Sequence, residues 1–230
     1  MPKTILITGA NGNLGVAAVK KFLAEGYKVI GVDQSGTHLG FAADHDNFEL
    51  KSVDAGDEQA VATFVEEIVE LEGHIDGALL LVGGFAMGDV QATGAAELRK
   101  MFDLNFLTAY FFARPLFQHM LGSGYGRLVF MGARPAILPE QGKGVLAYAL
   151  SKNLLFELAE LLNATAKGKN VVASVVAPST IDTPINRQSI PGADPGTWVK
   201  PADIADLLEF ICSDKGNAIR EPVYKIYNNA

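Results

Sequence analysis

The chain has 230 residues, of which 49% are hydrophobic, so one large domain can bury a full core. The net charge is −7 and the Lys and Arg residues are scattered, which argues against binding to a nucleic-acid backbone. Apolar runs such as residues 78–82 are far too short to cross a bilayer, and the N-terminal residues are typical of a strand rather than a signal peptide. With Cys212 as the single cysteine, no intrachain disulfide can form. We therefore expect a soluble, cytoplasmic protein.

The hydrophobic pattern alternates strand and helix from one end of the chain to the other. It predicts strands at residues 3–8, 28–32, 48–53, 77–82, 127–131, 171–177 and 223–227. It predicts helices at residues 14–25, 58–71, 95–120, 145–166 and 201–213. Pro115 falls inside the third helix, where we expect it to bend the helix or interrupt its hydrogen-bond ladder.

Strands made almost entirely of Val, Ile and Leu, separated by helices, are typical of a parallel sheet covered on both faces. The sequence thus predicts an α/β fold: a single doubly wound, Rossmann-type domain over residues 1–230, with about seven parallel strands. Such a fold binds its ligand beyond the carboxyl ends of the strands.

A glycine-rich turn, Thr8-Gly-Ala-Asn-Gly-Asn-Leu-Gly, follows the first predicted strand and opens a helix. Small residues in such a turn let the backbone approach a pyrophosphate, which the helix N-terminus stabilises. The turn therefore predicts a dinucleotide site; its candidate binding residues are Gly9, Asn11, Gly12, Asn13, Leu14 and Gly15. An ordinary strand-to-helix turn is the alternative.

Asp33 ends the second predicted strand, where a carboxylate can accept hydrogen bonds from the adenine ribose. The same charge would repel the 2′-phosphate of NADP, and no Arg or Lys lies in the glycine turn or directly after Asp33. These residues favour NAD(H) over NADP(H), although Asp33 is also compatible with a simple turn position. Asp54 follows the third strand and either borders the adenine or caps the next helix.

Tyr148 and Lys152 are four residues apart in a predicted helix, so the phenol and the ammonium share one helical face. Together with the dinucleotide site, this pair indicates hydride transfer with Tyr148 as proton donor. A neighbouring cation helps a phenol, whose ordinary pKa is about 10, to give up its proton.

With these motifs the chain resembles the short-chain dehydrogenase/reductase family over essentially its whole length. The resemblance implies that Lys152 bonds the nicotinamide ribose and that Asn105 holds the long helix open and supports a water in a proton relay. Tyr148, Lys152 and Asn105 are thus the candidate catalytic residues. Cofactor contacts are implied for Tyr148 and Lys152 and also for Gly83, Gly84, Pro178, Thr180 and Thr183; the alternative role of Thr183 is to cap a short helix after Pro184.

Two departures from the common family pattern narrow the expected substrate. Val82-Gly-Gly-Phe replaces Asn-Asn-Ala-Gly after the fourth strand, and Ala133 stands near the place of the usual catalytic serine. Both departures, and the stretch from Asp182 to Asp194 followed by Trp198, are similar to the dihydropteridine reductase branch. That branch reduces an electron-poor ring, which could depend less on a serine donor. The candidate substrate contacts are Phe85, Ala133 and Asn186, with a core phenylalanine and plain loop polarity as alternatives.

The sequence accordingly predicts an NADH-dependent reductase of a small molecule such as a quinonoid dihydropterin. The alternatives are a quinone or carbonyl reductase of the same family and a nucleotide-sensing module without catalysis. The four histidines lack metal-ligand spacing, so no metal is assigned. The family resemblance also implies a homodimer or homotetramer. Aromatic residues between residues 104 and 117, together with the helix at 145–166, are the candidate interface, and burial under the chain's own loops is the alternative.

Overall fold

A computed structural model describes residues 2–229 and contains one seven-stranded sheet. The strands run parallel in the order β3-β2-β1-β4-β5-β6-β7, which confirms the predicted Rossmann-like α/β fold. Their bounds are β1 Thr4–Thr8, β2 Lys28–Val32, β3 Phe48–Lys51, β4 Gly77–Leu80, β5 Tyr125–Met131, β6 Asn170–Pro178 and β7 Val223–Ile226.

The helices cover both faces of this sheet. They are α1 Asn13–Ala24, α2 Glu58–Glu72, α3 Ala95–Phe102, α4 Thr108–Ser123, α5 Pro139–Gly142, α6 Leu146–Thr165, α7 Pro184–Ser189 and α8 Pro201–Cys212. Side chains of β1 alternate between the two faces: Leu6 joins the core under α2, α4 and α6, whereas Ile5 and Ile7 join the core under α1 and α8. Burial on both faces explains why the central strands are mostly apolar, whereas the edge strands β3 and β7 are only partly buried and contain charged residues.

The strand order reverses beside β1, which pairs with β2 on one side and with β4 on the other. The chain must cross from β3 to β4 at this point, so the segments leaving β1 and β4 diverge and open a crevice at the carboxyl edge. Thr8 and Leu80 are register partners at the ends of these two strands. The glycine turn and the Gly83-Gly84 segment therefore emerge side by side.

The long helix expected at residues 95–120 is divided into three pieces. Between α3 and α4 lies a π turn, Asp103–Leu107, with Asn105 at its centre. Pro115 lies inside α4, which continues to Ser123; because proline has no N–H, one hydrogen bond of the helix is missing there, while the π turn is centred on Asn105. Because a π turn widens the helix by one residue, it can aim a side chain that regular α geometry would point elsewhere.

The aromatic residues of this region have mixed environments. Phe112 and Phe117 are buried in the core, and Phe106, Tyr110 and Phe111 are partly buried against it. On α6, Leu150, Leu154 and Leu161 remain exposed. None of the helices within residues 2–229 is long and apolar enough to cross a membrane.

Candidate active site

The glycine turn brings the start of α1 close to the end of β1. Gly9 has φ of 66°, a left-handed conformation that favours glycine, and its carbonyl accepts a hydrogen bond from the Gly12 amide at 3.0 Å. A Cβ on Gly15 would lie 2.1 Å from the Gly9 oxygen, a distance no real Cβ tolerates. The close approach of α1 to the turn therefore requires glycine at position 15.

The N-terminus of α1 is open to an anion. Its N-cap residue is Gly12, which has no side chain to accept a hydrogen bond from the first amides, and the first turn contains no Asp or Glu. Asn13 and Leu14 open the helix directly after it. Unsatisfied amides and the positive end of the helix dipole together favour a phosphate group here.

The edge of the crevice beyond β2 is held by hydrogen bonds around Asn11. Its amide donates to Asp33 Oδ2 at 3.0 Å, and its side-chain oxygen accepts from the His38 amide at 2.7 Å. The His38 ring Nδ1 also lies 3.1 Å from the Asn11 carbonyl oxygen. Asp33 thus ties the strand end to the glycine turn. The sequence contains no local signal for the contact between His38 and Asn11, because the two residues lie in separate loops.

Asp54 is exposed after β3, and its carboxylate accepts a hydrogen bond from the Gly56 amide at 2.9 Å. The N-cap of α2 is Asp57, whose Oδ1 accepts from the Gln59 and Ala60 amides at 3.0 Å each. The structure therefore contradicts the alternative that Asp54 caps this helix.

Asn105 connects three parts of the crevice. Its Oδ1 accepts from the Gly84 amide at 2.8 Å, and its Nδ2 donates to Ser151 Oγ at 3.0 Å. A Cβ on Gly83 would lie 2.7 Å from Asn105 Oδ1 and 2.9 Å from Lys152 Nζ. The missing side chain at position 83 is what lets the β4 segment, the π turn and α6 meet.

Tyr148 and Lys152 lie in the first two turns of α6 at the same edge of the sheet. Lys152 is 5% exposed, and its Nζ donates to the Met131 carbonyl at the end of β5 at 2.8 Å. Burial lowers the pKa of Lys152 to about 8, because desolvation disfavours the ammonium. Burial also raises the pKa of Tyr148 to about 12, because it disfavours the phenolate.

Phe85 lies beside the phenol ring of Tyr148. The two ring centroids are 5.0 Å apart in an edge-to-face arrangement, and 60% of Phe85 is exposed. Phe85 is therefore not a core phenylalanine, the alternative considered from the sequence. Ala133, directly beyond the end of β5, is 3% exposed and has no hydroxyl to offer.

β6 ends at Pro178, and the polar groups in the segment that follows it bond mainly within that segment. Thr183 Oγ1 caps α7 by accepting from the Asn186 amide at 3.2 Å, and Asn186 Nδ2 donates to the Ile181 carbonyl at 2.8 Å. The Thr180 carbonyl accepts from the Val199 amide at 2.9 Å. Arg187 forms an ion pair with Asp182, at 2.6 Å between Nε and Oδ1.

The short-chain dehydrogenase family model matches residues 3–193, most of the chain. The chain belongs to this family. The 3-oxoacyl-[acyl-carrier-protein] reductase MabA of Mycobacterium tuberculosis is 27% identical over 236 aligned positions, covering 97% of this chain and 91% of the relative. The dihydropteridine reductase of Dictyostelium discoideum is 27% identical over 213 positions, covering 90% and 87%.

Solved structures share the whole fold. ElxO with NADP bound has a TM-score of 0.91 at 21% identity, covering 99% of this chain and 98% of that one. The 4-hydroxyisoleucine dehydrogenase complexed with NADH has a TM-score of 0.87 at 20% identity, covering 98% and 97%. As a member of the short-chain dehydrogenase family, this chain is an oxidoreductase that uses a nicotinamide cofactor.

Within residues 2–229 of this short-chain dehydrogenase, no group of three or more His, Cys, Asp or Glu side chains could hold a metal ion. The structure brings the glycine turn, Gly83 and Gly84, Asn105, Phe85 and the Tyr148-Lys152 pair to the carboxyl edge of the sheet. Ser151 joins this group through its hydrogen bond with Asn105, although no motif in the sequence singled it out.

Proposed function

We propose that this chain is an NADH-dependent reductase that acts on an electron-poor conjugated ring of the quinonoid dihydropterin type. The observation that carries the proposal is the Tyr148 phenol, half-buried beside an exposed Phe85 ring and not accompanied by a serine hydroxyl at Ala133. The 27% identity to a dihydropteridine reductase supports the same substrate class.

The residues present fit a dinucleotide. Gly9, Gly12 and Gly15 leave room for backbone approach, and the open N-terminus of α1 suits the pyrophosphate. We propose that Asp33 and Asp54 face the adenosine end, and that Asn11, Asn13 and Leu14 complete the turn around the phosphates. At the nicotinamide end we propose Gly83, Gly84, Tyr148, Lys152, Pro178, Thr180 and Thr183. A reduced nicotinamide bound there supplies hydride from ring C4.

NADH rather than NADPH is proposed because Asp33 places a carboxylate at the end of β2. A 2′-phosphate at that position would meet like charge, and neither residues 8–15 nor Gln34 supplies a cation to offset it. The preference is read directly from the ratio of kcat/KM for the two coenzymes, which we expect to exceed about tenfold in favour of NADH. A ratio in favour of NADPH would contradict the role of Asp33.

Tyr148 is proposed as the proton donor. Because burial raises its pKa to about 12, the phenol is protonated at neutral pH and available as an acid. With a pKa lowered to about 8, Lys152 is still largely an ammonium at pH 7, one helical turn away, where it favours the phenolate that forms. The acceptor gains hydride at one atom and the Tyr148 proton at another, and Tyr148 is reprotonated from solvent.

The surface around Tyr148 favours an uncharged, partly apolar acceptor. Six exposed apolar side chains lie in the segments that follow β4, β5 and β6: Phe85, Met87, Val90, Leu138, Ile185 and Ile190. The nearby cations Arg187 and Lys143 are each paired with a carboxylate. An aromatic ring can therefore lie on Phe85, and Asn186 is the proposed polar contact; Ala133, being 3% exposed, lies beneath the surface that such a ring would meet.

A quinone or activated carbonyl is the second candidate substrate. The apolar segments suit it equally well, and the 27% identity to a 3-oxoacyl reductase supports a carbonyl in particular. A panel of quinonoid 6-methyl-dihydropterin, menadione and acetoacetyl-CoA with NADH separates the candidates. Strong turnover of acetoacetyl-CoA with no turnover of either ring would overturn the proposed substrate class.

The proton-donor role is tested with Tyr148→Phe, using Tyr110→Phe on α4 as the matched control. We expect kcat to fall by about 10²-fold or more in the first variant and by less than about twofold in the control. The NADH dissociation constant, measured by quenching of protein fluorescence, should stay within about threefold. Unchanged turnover in Tyr148→Phe would remove the phenol from the reaction.

We also propose that the chain forms a homodimer or homotetramer. The exposed leucines of α6, at positions 150, 154 and 161, support a helix-packed interface between copies. Sedimentation equilibrium of the purified protein measures the oligomer mass directly. A monomer at micromolar concentration would contradict the proposal.

A further inference from the structure

Ser151 is a fully buried hydroxyl whose donor and acceptor functions are both used. Its Oγ donates to the Tyr148 carbonyl at 2.8 Å and accepts from Asn105 Nδ2 at 3.0 Å. The first bond alone is common for a serine inside a helix, where the hydroxyl bonds back to the preceding turn. The second bond is not local, because it reaches the π turn, 46 positions away in the sequence.

The Asn105 amide has one orientation that satisfies all its partners. Its Oδ1 accepts from the Gly84 amide, while its Nδ2 donates to Ser151 Oγ and, at 3.7 Å, to the Met101 sulfur. An amide flipped by 180° would turn its Nδ2 toward the Gly84 N–H, and two donors would face each other. The donor and the acceptor are therefore fixed in each hydrogen bond of the series from Gly84 through Asn105 and Ser151 to the Tyr148 carbonyl.

We propose that Ser151 is a positioning residue that holds Tyr148 and Lys152 in place relative to Gly84 and the π turn. The hydroxyl lies between the two residues in α6, one bond from the Tyr148 carbonyl and one position before Lys152. It links the start of α6 to the segment that carries Phe85, so the phenol and its flanking ring keep a fixed separation. This role rests on the proposed function, in which Tyr148 delivers a proton.

The first test needs neither coenzyme nor acceptor. In protein labelled with ¹³C at tyrosine Cζ, the Tyr148 resonance is identified by its loss in Tyr148→Phe. We expect Ser151→Ala to shift or broaden this resonance while the other five tyrosines keep theirs. The control is Ser174→Ala in β6, an equally buried serine whose Oγ makes one long hydrogen bond within residues 2–229, to the Glu221 carbonyl at 3.5 Å. An unchanged Tyr148 resonance in Ser151→Ala would overturn the proposal.

The second test separates positioning from binding. With the acceptor that the parent protein reduces, Ser151→Ala should lower kcat by about tenfold or more and leave the KM for NADH within about threefold, because misplacement of a reacting group affects the chemical step. Asn105→Ala should cause a similar loss, and the double variant should lose little more than either single variant. Additive losses, or a kcat within twofold of the parent, would refute a shared positioning role.

Two further variants with side chains of nearly equal volume cover the case in which Ser151→Ala folds poorly. Ser151→Thr keeps the hydroxyl and Ser151→Val replaces it with a methyl group of nearly the same size. We expect the threonine variant to retain a Tyr148 resonance close to that of the parent and a kcat at least about fivefold above that of the valine variant. Equal values in both variants would assign Ser151 to packing alone. If the parent protein reduces no acceptor, the proposed function fails, whereas the NMR comparison still decides the role of Ser151.

Discussion

Substitution of Gly15 by alanine tests whether the close approach of α1 to the glycine turn shapes the coenzyme site. A Cβ at this position would lie 2.1 Å from the Gly9 oxygen and 2.7 Å from the Ala10 oxygen. Separations below 3.0 Å do not occur for real Cβ atoms, so the helix and the turn must move apart by roughly 1 Å. Both obstructing atoms belong to the backbone and cannot rotate away.

Gly122→Ala in α4 is the matched control, because nothing lies within 4 Å of its added Cβ. Replacing an unobstructed helical glycine with alanine should raise the free energy of unfolding by about 0.5–1 kcal/mol, or Tm by about 1–4 °C. For Gly15→Ala the same gain is outweighed by overpacking, which costs about 1–3 kcal/mol or more. We therefore expect opposite signs for the two variants.

Chemical denaturation measures both free energies, and fluorescence titration with NADH measures coenzyme affinity. We expect Gly15→Ala to weaken NADH binding by at least about tenfold, since a shift of this size misplaces the amides of α1. Gly122→Ala should bind like the parent. A Gly15→Ala variant that is as stable as the parent and binds NADH equally well would refute the assignment of this turn to the coenzyme.

Three further predictions concern single side chains. Burial lowers the pKa of Lys152 from 10.5 to about 8. Between pH 8 and 10.5 the folded protein therefore holds fewer protons at Lys152 than the unfolded protein does. The contribution of Lys152 to the free energy of unfolding accordingly rises with pH in this window. Denaturation at several pH values measures the free energy of unfolding of Lys152→Met minus that of the parent. We expect this difference to fall by about 3 kcal/mol over this window; a constant difference would contradict the buried ammonium. The comparison with the variant is needed because burial also raises the pKa values of Cys212 and Tyr148 to about 12, which acts in the opposite direction at alkaline pH. Asp57→Ala should cost about 1 kcal/mol of unfolding free energy through loss of the α2 cap, and Asp54→Ala clearly less, as urea denaturation will show; equal losses would argue against the capping assignment. Phe85→Ala should raise the KM of an aromatic acceptor by about two- to tenfold at unchanged NADH affinity, whereas the exposed Phe41→Ala should change neither; an unchanged KM would exclude Phe85 from the acceptor site.

The sheet could be predicted from the sequence because each strand is a short apolar run between turn residues. All seven strands occur where they were expected. The largest differences are two residues: β3 and β4 end earlier, at Lys51 and Leu80, and β5 begins earlier, at Tyr125. Parallel pairing follows from the helices that separate the strands. The glycine turn and the Tyr148-Lys152 pair were also visible, since each is a local pattern in the chain.

The parts of the site that the sequence did not reveal depend on contacts between distant residues. The π turn has no signature in the apolar periodicity of residues 95–120, because its centre is fixed by Gly84 and Ser151 through the Asn105 amide. Ser151 offered one signal: it is a small polar residue on the apolar face of α6, four positions after Ala147 and four before Leu155. Such a residue needs a partner when it is buried. The contact of His38 with Asn11 spans two loops, and no local pattern predicts it.

The hydrogen bond from the Asn11 amide to the Asp33 carboxylate has a consequence for redesign of coenzyme choice. A substitution at position 33 that removes the negative charge also removes the acceptor that fixes the neighbouring backbone. Asparagine keeps an oxygen at nearly the same reach, whereas alanine or glycine leaves the amide to water. Engineering toward NADPH is therefore a two-part problem in this protein: a cation must be gained, and the turn must be held by some other means.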